Sequence, residues 1–122
     1  MSRRIERVNE LIKAEIAELL QREVSDPRLS SLVSILAVDT SPDLRNATVR
    51  VSVLGSEEET EQSMAALRRA RGFLRHELAG RLVMRQVPEL SFKLDTSIAE
   101  GSKMLEMIKQ IEQGETPQDE ER

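Results

Sequence analysis

The chain has 122 residues, a third of them charged, with 18 Lys and Arg against 22 Asp and Glu for a formal net charge of −4. That length fits one domain with one modest core, and the 39% hydrophobic fraction is that of an ordinary soluble globular protein. The absence of cysteine excludes disulfides, thiolate metal sites and a cysteine nucleophile, and no apolar run approaches the roughly 20 residues that span a bilayer.

Met1–Arg4 opens a charged amphipathic segment without the apolar core of a secretory signal, so a cytoplasmic protein is expected. Arg4–Val24 is predicted to be a helix. Ile5, Val8, Ile12, Ile16 and Leu19 recur at spacings of three and four, and Leu11 and Leu20 widen the stripe. Ser25, Asp26 and Pro27 stop it, because the residue before a proline is pushed out of the α region. An Asp26–Arg28 contact is the simplest further role for that stop. Leu32–Val38 is an apolar run of strand length, and Asp39–Asp43 follows as a turn cluster. Ala47–Leu54 alternates, with Ala47, Val49, Val51 and Val53 on one face and Thr48, Arg50 and Ser52 on the other. That is the period of a half-buried strand, and the two strands are expected to form an antiparallel hairpin.

Ser56 and Glu59 have the spacing of a capping box, and Glu57–Glu61 places negative charge where a helix N-terminus favours it. Met64, Leu67, Ala70 or Arg71, Leu74, Leu78 and Leu82 carry a helical period to about Val83. Gly72 interrupts it at a cost of roughly 1 kcal/mol relative to alanine. Two helices joined by a kink are therefore expected in preference to one straight helix, with Gly80 a second weak point. Val87 and Pro88 end the helical region. Leu90, Phe92 and Leu94 alternate with Ser91, Lys93 and Asp95 as a third strand. Ile98–Ile111 has apolar residues at helical spacing, either a short terminal helix or an ordering tail. Residues 1–111 are expected to form the domain and residues 112–122 an acidic, disordered tail. The fold class is α+β, a three-stranded sheet covered on one face by helices, with Arg50 and Lys93 on the uncovered face.

The charge is uneven. Glu112–Arg122 sums to −4, which leaves residues 1–111 balanced at 17 of each sign. Between Arg68 and Lys93 seven cations meet two carboxylates, a net +5. An excess opposite in sign to the whole chain points to a polyanionic partner; the alternative is the solvated face of an amphipathic helix. Arg68, Arg71 and Arg75 share one helix face. With Arg81 and Arg85 they are the leading candidates for phosphate contact, because the guanidinium fork matches phosphate oxygens. Lys93, Arg45 and Arg50 are candidates on the sheet side, and Arg3, Arg4 and Arg7 form a second-rank cluster. Ala70 and Gly72 are the candidate kink. Gly72 serves either close packing against the sheet or exposure of a helix start whose N–H groups favour anions. Phe73 and Phe92 are the only aromatics, so no exposed platform for stacking unpaired bases is expected.

Catalysis is poorly served. His76 is the only histidine, so a two-histidine metal site cannot form within one chain, and its place between Arg75 and Glu77 reads as plain surface, with phosphate contact the alternative. Neither common nucleotide-binding glycine loop occurs. No enzymatic activity, cofactor, metal, membrane or small-molecule substrate is expected.

The order helix, strand, strand, helix, kink, helix, strand is similar to the type II KH fold. The KH hallmark is a Gly-x-x-Gly loop that clamps nucleic-acid backbone; Ala70-Arg71-Gly72 stands in its place here. That Ala-x-Gly kink resembles the ribosome-binding factor A family. So do Arg7-Val8, Asp26–Leu29, Val38–Leu44, Leu82–Arg85, Val87–Leu90, Phe92, Asp95–Ile98 and Gly101, in this order over about residues 3–108. The resemblance implies a cytoplasmic, mostly monomeric, cofactor-free assembly factor. Its implied partner is the free small (30S) ribosomal subunit with its 16S rRNA, whose late maturation and 5′-end processing it assists without being a nuclease. It also implies support of growth in the cold. The missing second glycine favours charge-led binding to folded rRNA. The alternatives are a protein-interaction module using the sheet face, a general RNA-binding protein not dedicated to the ribosome, and a hydrolase with an unrecognised site.

Overall fold

The computed structural model describes residues 3–112, and only the backbone at residues 98–100, 102 and 103. The expected tail from Gln113 onward lies outside the described residues. Helix α1 (Arg3–Arg22) buries Ile12, Ile16 and Leu19 completely and keeps Val8 half-buried at the edge of the stripe. Where only a stop was expected there is a second, short helix, α2 (Pro27–Ser31). Asp26 caps it by accepting the Arg28 N–H at 3.0 Å and pairing with the Arg28 guanidinium at 3.0 Å. Pro27 supplies the first helical position, and Leu29 is fully buried. Five residues are too few to display a helical period, so the sequence shows the proline and not the helix.

Strand β1 (Val33–Thr40) runs two residues past the expected end, taking in Asp39 and Thr40 from the predicted turn. The register shifts between Ile35 and Ala37. Val33 and Ile35 face the helices before this bulge, and Val38 and Thr40 face them after it. A mid-strand bulge changes which parity points inward, which is why this run is apolar without alternating. Strand β2 (Asn46–Val53) is central and fully buries Ala47, Val49 and Val51. It pairs antiparallel with β1 and parallel with β3 (Glu89–Leu94), in the order β1-β2-β3. Parallel neighbours need a long crossover, and helix α3 (Glu57–Arg81) supplies it.

The predicted capping box starts α3. Ser56 Oγ accepts the Glu59 N–H at 3.1 Å, and Glu59 Oε1 accepts the Ser56 N–H at 2.9 Å. Leu67, Leu74 and Leu78 are fully buried, and Ala70 rather than Arg71 continues their stripe. The expected pair of helices is one helix, continuous through Ala70, Arg71 and Gly72. A single glycine costs roughly 1 kcal/mol, and the buried leucines on both sides of it hold the helix together. Close packing does not explain Gly72 either: a Cβ there would meet nothing within 4 Å.

α1 packs on β1 and α3 on β3, so both lie on one face of the sheet. The other face carries Thr48, Arg50, Ser91 and Lys93, with Arg50 opposite Lys93 in the β2–β3 register. Helix α4 (Ser97–Glu112) is the terminal helix of the two readings, and it leaves Met104, Leu105, Ile108 and Ile111 exposed.

Candidate nucleic-acid interface

The second half of α3 and the connection Leu82–Pro88 enclose an open groove of about 530 Å³. Arg71, Gly72, Arg75 and His76 line one wall, with Arg85 and Glu89 opposite. Three candidate arginines and the only histidine are therefore brought to one place.

These arginines do different work. Arg75 donates from Nε and Nη2 to the Val87 carbonyl at 3.2 and 3.0 Å, and its Nη1 lies 3.1 Å from Glu89 Oε1. Its fork ties α3 to the start of β3 and sets the groove's width. Arg81 sits among carboxylates, 3.5 Å from Glu15, 3.9 Å from Glu18, 3.5 Å from Glu23 and 4.0 Å from Glu77. It joins the end of α3 to α1 and is surrounded by negative charge. Arg68, Arg71 and Arg85 are exposed and make no ion pair or side-chain hydrogen bond among the described residues.

On the open sheet face Arg50 pairs with Asp39 at 3.1 Å and Asp95 at 3.7 Å, while the exposed Lys93 makes no ion pair among the described residues. Both line a separate hollow of about 310 Å³. Asp95 also accepts the Ser97 N–H at 2.9 Å. Hydrogen bonds from Ser97 hold its carboxyl below the ordinary value of 3.8, with Arg50 and Lys93 adding to the effect. Arg45 is exposed beside the β1–β2 turn, and its carbonyl accepts the Glu89 N–H at 2.8 Å. Arg3, Arg4 and Arg7 lie exposed on the first turns of α1. Of these, Arg4 shares a second hollow of about 320 Å³ with Arg85. Ala70 is half-buried and Gly72 exposed, so only the glycine faces the groove.

One expectation is corrected. Phe73 is 42% exposed; it follows the groove wall residue Gly72 and precedes the buried Leu74, so successive positions 100° apart turn its ring outward. Sequence reading also passed over Leu44 and Val83. Leu44 has φ 60° in the β1–β2 turn, and Val83 projects wholly into solvent after α3. An apolar residue just past a helix end is the only signal that could have flagged Val83. Among the described residues no group of His, Asp or Glu could hold a metal ion, and no helix is long and apolar enough to cross a membrane.

Known proteins share this architecture. A solution structure of a Thermotoga maritima ribosome binding factor A is 35% identical, with a TM-score of 0.67 over 76% of this chain and 88% of that one. The crystal structure of ribosome-binding factor A from Thermus thermophilus is 32% identical, with a TM-score of 0.65 over 74% and 94%. A Thermus thermophilus ribosome binding factor A fitted into the cryo-electron-microscopy map of a 30S complex has a TM-score of 0.58 at 32% identity, over 72% and 91%. In sequence, the ribosome-binding factor A of Acetivibrio thermocellus is 49% identical over 105 residues, 86% of this chain and 85% of its own. That of Dictyoglomus thermophilum is 48% identical over 111 residues, 91% and 92%. The family model for ribosome-binding factor A matches residues 4–108, from the first turn of α1 into α4 and so across the groove and both of its walls, and the chain belongs to that family.

Proposed function

We propose that this protein is a non-catalytic assembly factor that binds the free 30S subunit through its 16S rRNA and assists late maturation, including 5′-end processing. Family membership supports ribosome binding, and the relative fitted into a 30S complex supports the small subunit as the partner. The observation that carries the RNA reading is the sorting of cations around the groove. Arg75 and Arg81 are neutralised by the protein itself, whereas Arg68, Arg71 and Arg85 are left to neutralise phosphate. Lys93 and Arg45 extend the same role to the sheet side. The bare backbone of Gly72 lets a strand approach the groove wall closely. Residues 1–111 form the binding domain, residues 112–122 carry acidic charge kept off the RNA, and the protein works as a cytoplasmic monomer, including in the cold.

Each phosphate neutralised releases condensed counterions, so affinity falls with salt. For three arginine contacts the slope of log affinity on log salt is about −2 to −3. The test is sedimentation with 30S subunits, intact ribosomes and tRNA at two salt concentrations. Co-migration with 30S alone, weakened by salt, is expected; salt-independent binding or equal binding to tRNA sinks the reading. Arg71→Glu with Arg85→Glu is expected to weaken binding more than tenfold, and Glu115→Lys with Glu120→Lys to leave it intact. Purified protein is expected to leave immature 16S rRNA uncleaved.

One observation favours the second reading, a protein-interaction module: the exposed apolar residues of α4. Binding to the ribosomal proteins of the small subunit after removal of rRNA would support it.

A further inference from the structure

The connection between α3 and β3 is a ridge with a hollow on each side. Met84, Arg85 and Gln86 line both the groove of about 530 Å³ and the hollow of about 320 Å³, so these residues form the wall between them. Arg71 and Gly72 lie on the far side of the first. Arg4, Val8, Asp43 and Leu44 lie on the far side of the second. Each hollow thus has a cation on its outer wall and one carboxylate in its lining, Glu89 in the first and Asp43 in the second, and Arg85 stands between the two. Val83 is fully exposed on the ridge and borders the second hollow.

We propose that the ridge Leu82–Gln86 is a wedge for double-helical RNA. Val83 lies in the shallow groove of an A-form helix, and the phosphates of the two strands run through the hollows on either side. The inference rests on the RNA-binding reading and names the form of RNA at that site. A lone exposed valine is ordinary, but this one projects beside the second hollow, from the ridge whose next three residues divide the two. Apolar side chains inserted from such positions act as minor-groove wedges in nucleic-acid binders. The minor groove of A-form RNA is wide and shallow, and it is recognised by shape together with 2′-OH and phosphate contacts. A single strand would fill one hollow and leave the other idle. It would also seek an aromatic to stack on, and Phe73 lines neither hollow. Leu44 adds an independent mark. A leucine at φ 60° is strained, and such strain collects where ligands bind. The turn holds it there through Asp43 Oδ1, which accepts from Ser41 Oγ at 2.7 Å and the Arg45 N–H at 3.0 Å.

The chain has no cysteine, so Val83→Cys gives a unique attachment point at a position whose side chain packs on nothing. An iron–EDTA group tethered there, in the complex with 30S subunits, cleaves rRNA within its reach. Scission of both strands of one helix, in two clusters facing each other across the minor groove, is the expected result. Scission confined to an unpaired segment, or no scission while the protein stays bound, overturns the wedge and leaves the proposed function standing. Failure of the unsubstituted protein to bind 30S overturns the function itself. Val83→Asp is expected to lower 30S affinity roughly tenfold, the scale of a well-placed interface residue, with Tm unchanged; an unchanged affinity also overturns the wedge.

Discussion

At Gly55 the backbone lies at φ 132°, and an added Cβ would come within 2.7 Å of Glu59 Oε1. Gly55→Ala meets strain and pushes away the carboxylate that completes the α3 cap. A loss of about 1–3 kcal/mol is expected in thermal or urea unfolding. Gly72 behaves oppositely, because nothing occupies the space a methyl would take. Gly72→Ala is expected to raise stability by roughly 0.5–1 kcal/mol, the helix-propensity difference, and Tm measures it. Asp43 gives a pH dependence. The Ser41 hydroxyl and the Arg45 N–H hold its carboxyl below the ordinary 3.8. A depressed value stabilises the fold above the unfolded value and is lost as pH falls through the folded one. The β1–β2 turn therefore loosens below about pH 4, and Asp43→Asn removes this acid-side dependence in an NMR titration of the turn amides. The sequence carried the letters of these three residues but not the φ of Gly55 or the open space over Gly72.

Among elements, α1 and α3 are joined by Arg81 as well as by leucines. Arg81→Met leaves Glu15, Glu18, Glu23 and Glu77 facing one another without their cation. Destabilisation on the order of 1 kcal/mol at neutral pH is expected from partly exposed charges. The effect is electrostatic, so the loss should shrink under high salt. Ser63 is fully buried and its Oγ finds no hydrogen-bond partner among the described residues. Ser63→Ala removes an unsatisfied hydroxyl and improves helix propensity, and unfolding is expected to show unchanged or higher stability. Elements with a long apolar period, α1 and β2, were legible with bounds near the observed ones, whereas α3 was expected as two helices broken at Gly72 and is one. α2 and the reach of β1 were not legible. One is shorter than a helical repeat, and the other shifts its inward parity at a bulge that no residue type announces.

Across the whole molecule, the balanced charge of residues 1–111 conceals a sorting that spacing could not reveal. Arg75, twelve residues before Val87 in sequence, is spent on that carbonyl, and Arg81 on glutamates from α1, so helical position predicted a shared face but not a shared partner. The family and the α+β class were legible; the groove and the ridge that divides it from its neighbour were not, because the Leu82–Pro88 connection, α1 and the β1–β2 turn build the two hollows from distant parts of the chain. The parallel pairing of β2 with β3 has a further consequence, in time rather than space. A hairpin with α1 can assemble as the chain emerges, but β3 cannot dock until the 25-residue helix α3 has formed and turned back. The far wall of the groove hangs from that docking, through the Arg75 clasp on Val87 and the Glu89 register with Asn46. A partly folded or nascent chain therefore offers loose arginines but no groove, and the groove arrives only with the last strand.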